Sequence, residues 1–137
     1  MLLTERILSA DDRERLIPAV DRARASWLTY APYLEQFRSQ LRRSRGVASS
    51  DVPGDVITMN SRFVLSHPGD EAWISYTLVY PEEESPELGK VSVLSPMGVA
   101  LLGARVGEEV CWIATDGPQA ATVERLLYQP EAEGSAR

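Results

Sequence analysis

Apolar residues in the first third of the chain recur every three or four positions, the spacing of an amphipathic helix. One apolar stripe runs through residues 11–28 and a second through residues 32–45, with a short turn between them. Two amphipathic helices joined by a tight turn predict an antiparallel helical hairpin, in effect a short coiled coil. The pattern alone also allows both stripes to pack onto the rest of the chain. The stripes consist of Leu16, Val20, Ala23 and Trp27, and of Leu34, Phe37 and Leu41.

Pro18 lies inside the first of these helical segments. Because proline lacks an amide hydrogen and its ring crowds the preceding turn, we expect a kink there or a separate short first piece. The second segment ends in arginines followed by Gly46, which is typical of a helix C-terminus. The polar stretch 47–54 contains proline and glycine and predicts a linker. These features predict a hairpin domain over residues 1–50 and a second domain over residues 51–137.

From Asp55 onward apolar and polar positions alternate, which indicates β-strands. One short helix is predicted among these strands, because Ser95 can cap it, Pro96 suits its first position and Gly103 can end it. The predicted fold class is therefore α+β, with an N-terminal helical hairpin and a C-terminal antiparallel sheet that packs on one short helix. The predicted strands cover residues 56–65, 72–80, 90–94, 110–114 and 121–128.

The corner Ser95-Pro96-Met97-Gly98, at the start of the short helix, is the candidate contact surface. We expect this corner to be exposed, and an exposed methionine often provides a soft, adaptable contact. Pro96 and the capping Ser95 stiffen the corner, while Gly98 is expected to let a partner approach the backbone closely. Fold specification alone also explains most of these residues.

Composition excludes several classes of protein. No apolar run approaches the ~20 residues of a membrane helix and no signal-peptide core is present, so we expect a cytoplasmic protein without a membrane partner. With one cysteine and one histidine, the chain can form neither an internal disulfide nor a usual zinc site, and we expect no cofactor. Cys111 is expected to be a buried, unreactive thiol. We expect Glu82–Glu84 to belong to a solvated acidic loop rather than a metal site.

Charge is distributed unevenly along the chain. Residues 1–50 contain nine arginines and six acidic residues, whereas residues 51–137 contain five basic and fourteen acidic residues. Because affinity for duplex DNA depends on neutralising phosphates, the acidic second part argues against a specific DNA site. It is compatible with a basic protein surface as the partner.

The run SVLSPMGVALLG, residues 92–103, resembles the C-terminal-domain signature of the Gre-type transcription elongation factors. Three further motifs, VITMNS (56–61), YTLVYP (76–81) and LYQPE (127–131), resemble the regulator of nucleoside diphosphate kinase (Rnk) subfamily. The resemblance begins near residue 30 and extends to the C-terminus. It implies that the second domain has an FKBP-like form. It also implies that the protein binds bacterial RNA polymerase at the rim of the secondary channel, with the hairpin pointing inward.

The hairpin tip departs from the pattern of the Gre cleavage factors, which carry acidic residues there that help to hold a second Mg²⁺ in the polymerase active site. Residues 26–33 contain no acid, and a single nearby carboxylate is a weak Mg²⁺ ligand. A helix over residues 11–28 also spans only roughly 27 Å, less than the long Gre coiled coils. The resemblance therefore implies a non-catalytic polymerase-binding regulator of elongation that competes with Gre factors. The candidate tip residues are Trp27, Thr29, Tyr30, Tyr33 and Glu35.

Two other functions remain open from the sequence. The FKBP-like form is shared with peptidyl-prolyl isomerases, which need an apolar, aromatic-lined pocket, and Trp73, Tyr76 and Trp112 are available aromatic residues that fit a core equally well. Fold analogy alone is weak support for that activity. The subfamily name suggests nucleoside diphosphate kinase as a direct partner. No residue marks a kinase-binding surface, and the name also fits an indirect link.

Overall fold

The computed structural model describes residues 6–25 and 32–133, and the chain forms two compact units, Met1–Val52 and Pro53–Arg137. Helices dominate the first unit, and a five-stranded sheet dominates the second. The fold class is therefore α+β, as predicted. Within the described ranges, no helix is long and apolar enough to cross a membrane. The division into two independent domains near residue 50 stays a prediction.

The first unit, which we call the helical unit, contains α1 (Ala10–Ala25) and α2 (Pro32–Arg43). Arg13, near the start of α1, donates to the carbonyl of Leu41 at the end of α2, and Arg24 pairs with Glu35 at the opposite ends. This order of contacts makes the two helices antiparallel. The buried side chains include most of the predicted stripes; Ala23 is half-buried, and Trp27 lies outside the described residues. The buried apolar side chains of the two helices are Leu16, Ala19, Val20, Leu34, Phe37 and Leu41, and the polar Asp12 of α1 is buried as well.

A short parallel strand pair lies beside the helices and was not predicted. It consists of β1 (Ile7–Ser9) and β2 (Arg45–Val47), in register so that Leu8 is opposite Gly46. Leu8 is buried, so the pair adds an apolar residue to the core of the helical unit. The two strands hold the start of α1 close to the end of α2.

Pro18 does not separate a short first piece of helix, so that expectation is wrong, while the alternative of a kink stays a prediction. α1 is continuous from Ala10 to Ala25 with Pro18 inside it. Proline removes the amide that would bond to the carbonyl of Glu14, but Pro18 and Glu14 are both exposed. Water can therefore satisfy the free carbonyl, while the buried face of the helix keeps its packing.

The second unit, which we call the body, is built on a sheet in the order β5-β4-β3-β7-β6. Most neighbouring strands are antiparallel, as expected, but β4 and β5 are parallel, so the sheet is mixed and the prediction of a purely antiparallel sheet is wrong. Parallel neighbours need a crossover, and the predicted acidic loop provides it through two 3-10 turns. The strands are β3 (Arg62–Ser66), β4 (Trp73–Val79), β5 (Lys90–Ser92), β6 (Glu109–Ala114) and β7 (Gly117–Tyr128).

The predicted strand over residues 56–65 is about half as long in the structure, because β3 begins at Arg62. The preceding segment turns instead: the amide of Ser61 donates to the carbonyl of Thr58 at 3.0 Å, and Asn60 has a left-handed φ of 67°. Val56 makes only an isolated bridge to Arg105. β-branched residues thus produced a strand-like pattern where the backbone forms a turn.

The short helix α3 (Pro96–Leu101) packs against the sheet and contributes to the core of the body. Leu101 is fully buried, as are Phe63 on β3 and Val123 on β7. The end of α3 is joined to the segment before β3, since Gly103 N donates to Ile57 O and Ile57 N to Ala104 O, both at 2.8 Å. The FKBP-like likeness of this body stays a prediction.

Candidate functional site

The corner at the start of α3 is fixed by hydrogen bonds that its own sequence supplies. Ser95 is the N-cap, and its Oγ accepts from the amide of Gly98 at 3.0 Å and donates to the carbonyl of Ser92 at 2.8 Å. Pro96 occupies the first helical position, where its missing amide costs nothing. The cap therefore joins the end of β5 to the first turn of α3, as the sequence suggested.

Gly98 has a different role from the one expected. It is buried, and a Cβ built on it would lie 2.1 Å from the carbonyl oxygen of Ser92 and 2.8 Å from the Cα of Val93. The space that a side chain would need is occupied by the chain's own backbone. Glycine therefore lets α3 pack onto the end of β5, and the expectation that it admits a partner is not supported.

The exposed part of the corner is smaller than predicted. Ser95, Pro96 and Met97 are each half-buried, between fully exposed and fully buried. Leu101, one turn after Met97, is fully buried and supports the corner from the core. Ser95, Pro96 and Met97 thus form a stiff surface of intermediate exposure, which we call the α3 corner.

Of the predicted tip residues, Trp27, Thr29 and Tyr30 lie outside the described residues. Tyr33, near the start of α2, is half-buried, and burial raises the pKa of its hydroxyl. Glu35 is exposed and accepts from Arg24 on both carboxylate oxygens, from Nε at 3.0 Å and from Nη2 at 3.1 Å. The carboxylate nearest the tip is therefore engaged in a bidentate ion pair.

Asp21 on α1, a second acidic residue in the contact between α1 and α2, is also paired with arginines. Arg38 approaches both of its carboxylate oxygens, and Arg24 Nη1 donates to one of them at 3.2 Å. Hydrogen bonding from Arg38, with smaller contributions from both arginine charges, lowers the pKa of Asp21. Asp21, Arg24, Glu35 and Arg38 form one chain of ion pairs between α1 and α2, which we call the interhelical ion network.

Within residues 6–25 and 32–133, no group of three or more His, Cys, Asp or Glu side chains is arranged to hold a metal ion. Glu82 and Glu83 lie in an exposed 3-10 turn of the crossover between β4 and β5. Their position fits the solvated loop expected from the sequence.

Only one of the three aromatic residues considered for an isomerase pocket lines the groove beside the β6–β7 hairpin. A groove between the β3–β4 turn and the β6–β7 hairpin is lined by Trp112, His67 and Pro118, among others, and neither Trp73 nor Tyr76 lines it. Trp73 is 56% exposed, so its alternative interpretation as a core residue is wrong. Trp112 therefore does not share this groove with the other two aromatics.

Cys111 is exposed, and the expectation of a buried thiol is wrong. On β6, Val110 is buried and Cys111 is not, since successive side chains of a strand point to opposite faces. β6 is the last strand of the sheet, so one of its sides has no neighbouring strand within the body. The apolar neighbours of Cys111 in sequence gave no indication of this edge position.

A second polar cluster was missed by sequence reasoning, although its residues belong to two of the quoted motifs. Gln129, 2% exposed, donates through Nε2 to the carbonyls of Pro53 at 2.9 Å and Val56 at 2.7 Å. Glu131 accepts from the hydroxyl of Thr58 at 2.7 Å. The motifs VITMNS and LYQPE are therefore in direct contact, which only the fold reveals.

Comparison with known proteins places this architecture in a family. Residues 52–128, more than half of the chain and including the α3 corner, match the family model "Transcription elongation factor, GreA/GreB, C-term". The chain therefore belongs to the GreA/GreB family of transcription elongation factors.

Particular relatives include two differently named proteins. The Escherichia coli (strain K12) protein "Regulator of nucleoside diphosphate kinase" is 36% identical over 104 residues, which cover 75% of this chain and 76% of that protein. "Transcription elongation factor GreA" of Chlorobium phaeovibrioides is 43% identical over 74 residues, 54% of this chain and 46% of that protein. The chain thus spans about half the length of this GreA relative.

A solved structure extends the likeness to nearly the whole fold. "Prokaryotic transcription elongation factor GreA/GreB from Nitrosomonas europaea" is 27% identical and superimposes with a TM-score of 0.77. The match covers 92% of this chain and 100% of that one. The likeness therefore includes the helical unit as well as the family-matched body.

Proposed function

We propose that this protein is a non-catalytic regulator of transcription elongation that binds RNA polymerase at the rim of the secondary channel and competes there with Gre factors. Family membership supports a regulator of this general kind. The observation that carries the absence of catalysis is the bidentate pairing of Glu35 with Arg24. The α3 corner is the proposed polymerase-contact surface.

The α3 corner suits a contact surface because it is ordered before binding. Ser95 fixes the first turn by two hydrogen bonds, and the tight packing of Gly98 on β5 holds the helix in place. A surface that is already ordered loses less conformational entropy on docking. Met97 adds a polarisable apolar side chain that is partly accessible.

The interhelical ion network argues against transcript cleavage. A carboxylate must offer free oxygens to a hard cation such as Mg²⁺, which accepts only oxygen ligands in near-octahedral geometry. Both oxygens of Glu35 accept from Arg24, and Arg38 holds Asp21. With no acid in residues 26–33, the helical unit occupies the channel in this proposal without delivering a metal ligand.

A direct action on nucleoside diphosphate kinase is the second candidate function. The observation in its favour is the 36% identity to the relative named for that regulation. Purified, tagged protein should be tested against RNA polymerase and against the kinase in the same pull-down and by titration. We expect saturable binding to polymerase and none to the kinase; the reverse result would reject the polymerase proposal.

Met97→Asp tests the contact surface. We expect the melting temperature to change little, because Met97 is not a core residue, whereas the Kd for polymerase rises about fivefold or more, as for a contact worth about 1 kcal/mol. Leu88→Asp, which places the same charge at a side chain that is 71% exposed, is the matched control and should bind normally. A destabilised Met97→Asp protein with unchanged affinity would remove the α3 corner from the proposal.

Cleavage is tested on a backtracked elongation complex with Mg²⁺. We expect the protein to leave the transcript intact, and to slow cleavage by an added GreA-type factor in proportion to its concentration. Cleavage at the rate of a Gre factor would show that the helical unit delivers a metal ligand after all. Failure to compete at saturating concentration would reject occupation of the same rim.

A further inference from the structure

We propose that Gln129 and Glu131 are positioning residues, which hold the start of the body and, through it, the α3 corner in the conformation that binds polymerase. The contacts of these two residues with the segment 53–58 form what we call the C-terminal clasp. The inference rests on the proposed function for its polymerase readout, whereas its structural part can be tested without polymerase.

The C-terminal clasp contacts the first residues of the body through three hydrogen bonds. Nε2 of Gln129 donates to the carbonyls of both Pro53 and Val56, and the side chain is almost completely buried. The carboxylate of Glu131 accepts from the hydroxyl of Thr58, which is also fully buried. Since a side-chain amide has two donors, Gln129 uses both of them on one short stretch of backbone.

The position of that stretch gives the clasp its significance. Pro53 is the first residue of the body, immediately after the boundary with the helical unit at Val52. Residues 49–51 form an isolated 3-10 turn just before it. The clasp therefore holds the first residues of the body in place, beginning at Pro53. It does not hold the residues before Pro53, which connect the body to the helical unit.

The same stretch supports the end of α3. Ile57 exchanges two backbone hydrogen bonds of 2.8 Å with Gly103 and Ala104, directly after α3. Loss of the clasp removes one hydrogen bond each from Val56 and Thr58, on either side of Ile57, so we expect it to weaken this exchange as well. The clasp is thereby connected through Ile57 to the C-terminal end of α3. The α3 corner lies at the N-terminal end of the same helix.

Two variants of Glu131 test whether its hydrogen bond to Thr58 is what the clasp requires. Glu131→Gln keeps an oxygen that accepts from the Thr58 hydroxyl, whereas Glu131→Ala removes it. Glu133→Ala changes an exposed acid in the same turn and serves as the matched control. Gln129→Met keeps the length and the apolar bulk of the side chain but removes both donors to the Pro53 and Val56 carbonyls.

The experiment measures amide hydrogen exchange and polymerase affinity on the full-length variants. We expect exchange at Ile57 and Gly103 to accelerate about tenfold or more in Gln129→Met and less in Glu131→Ala, while amides of β3 and β7 remain protected. Glu131→Gln and Glu133→Ala should behave like the wild type. Affinity for polymerase should fall severalfold in the two loosened variants and recover in Glu131→Gln.

The outcomes separate the two proposals. Unchanged exchange at Ile57 and Gly103 in Gln129→Met and Glu131→Ala would overturn the clasp, whatever polymerase does. Faster exchange with undiminished polymerase affinity would reduce the clasp to a purely structural contact and overturn the positioning role. Faster exchange in a protein whose wild type does not bind polymerase would reject the proposed function and leave the clasp intact. If Gln129→Met fails to fold, Glu131→Ala and Glu131→Gln provide the same comparison.

Discussion

Gly98→Ala is the sharpest test of how the α3 corner is built. The added methyl carbon would lie 2.1 Å from Ser92 O, 2.8 Å from Val93 Cα and 2.9 Å from Ser92 C. All three atoms belong to the backbone, so no side chain can rotate away to make room. The start of α3 and the end of β5 must separate by roughly 1 Å or more to restore ordinary contact distances.

The cost can be worked out from two opposing effects. Overpacking of a well-packed core costs about 1–3 kcal/mol and occasionally more, and contact with backbone puts this site at the upper end. Alanine in a helix is favoured over glycine by about 1 kcal/mol, which offsets part of that cost. The net loss of about 2 kcal/mol should lower the melting temperature of a body of this size by roughly 10 °C.

Thermal unfolding of Gly98→Ala beside Gly54→Ala provides the assay. A Cβ on Gly54 meets no atom within 4 Å, and this glycine has no left-handed φ, so its substitution should shift stability by at most about 0.5 kcal/mol. A Gly98→Ala protein as stable as Gly54→Ala would refute the packing argument. It would also revive the alternative, that Gly98 is required by a partner.

The helical unit gives two further predictions. Leu34→Asp places a charge at a side chain that is 3% exposed and should unfold α1 and α2 at a cost of several kcal/mol, while exchange protection of the body persists; loss of the whole cooperative transition would instead mean one shared core. The second prediction concerns pH. Pairing with Arg38 lowers the pKa of Asp21 below 3.8. The contribution of this ion pair to the stability of the helical unit is therefore fully present above about pH 4 and is lost as pH falls through the lowered pKa. Circular dichroism at 222 nm from about pH 5 to 2 should show this loss in the wild type and a smaller one in Asp21→Asn, whereas identical profiles would contradict it.

The sequence predicted well those features that depend on neighbouring residues. Ser95 caps α3 and Pro96 starts it, because capping is decided within one turn of helix. The stripes of α1 and α2 were also predicted, since a spacing of three or four positions defines one helix face. In each case the information lies within a few positions of the element it specifies.

Features decided by distant residues were predicted poorly. The parallel pairing of β4 with β5 depends on the path of the crossover, and the exposure of Cys111 depends on which face of β6 the rest of the body covers. None of these neighbours is specified by the residue's own surroundings in the sequence.

The candidate site illustrates the same division between information in neighbouring residues and information in distant ones. The absence of acids from residues 26–33 already disfavoured metal delivery, and Glu35, two positions further on, was expected to be only a weak single Mg²⁺ ligand. Its availability depends on Arg24, which α1 brings to it across the helix contact. Arg24 also bonds Asp21, so releasing one carboxylate would require rearranging the interhelical ion network that joins the two helices. In the proposed function, the acids that remain near the tip are unavailable to Mg²⁺ because arginines pair with them. Removing acids from a tip and pairing those that remain are then two separate routes to a non-cleaving regulator.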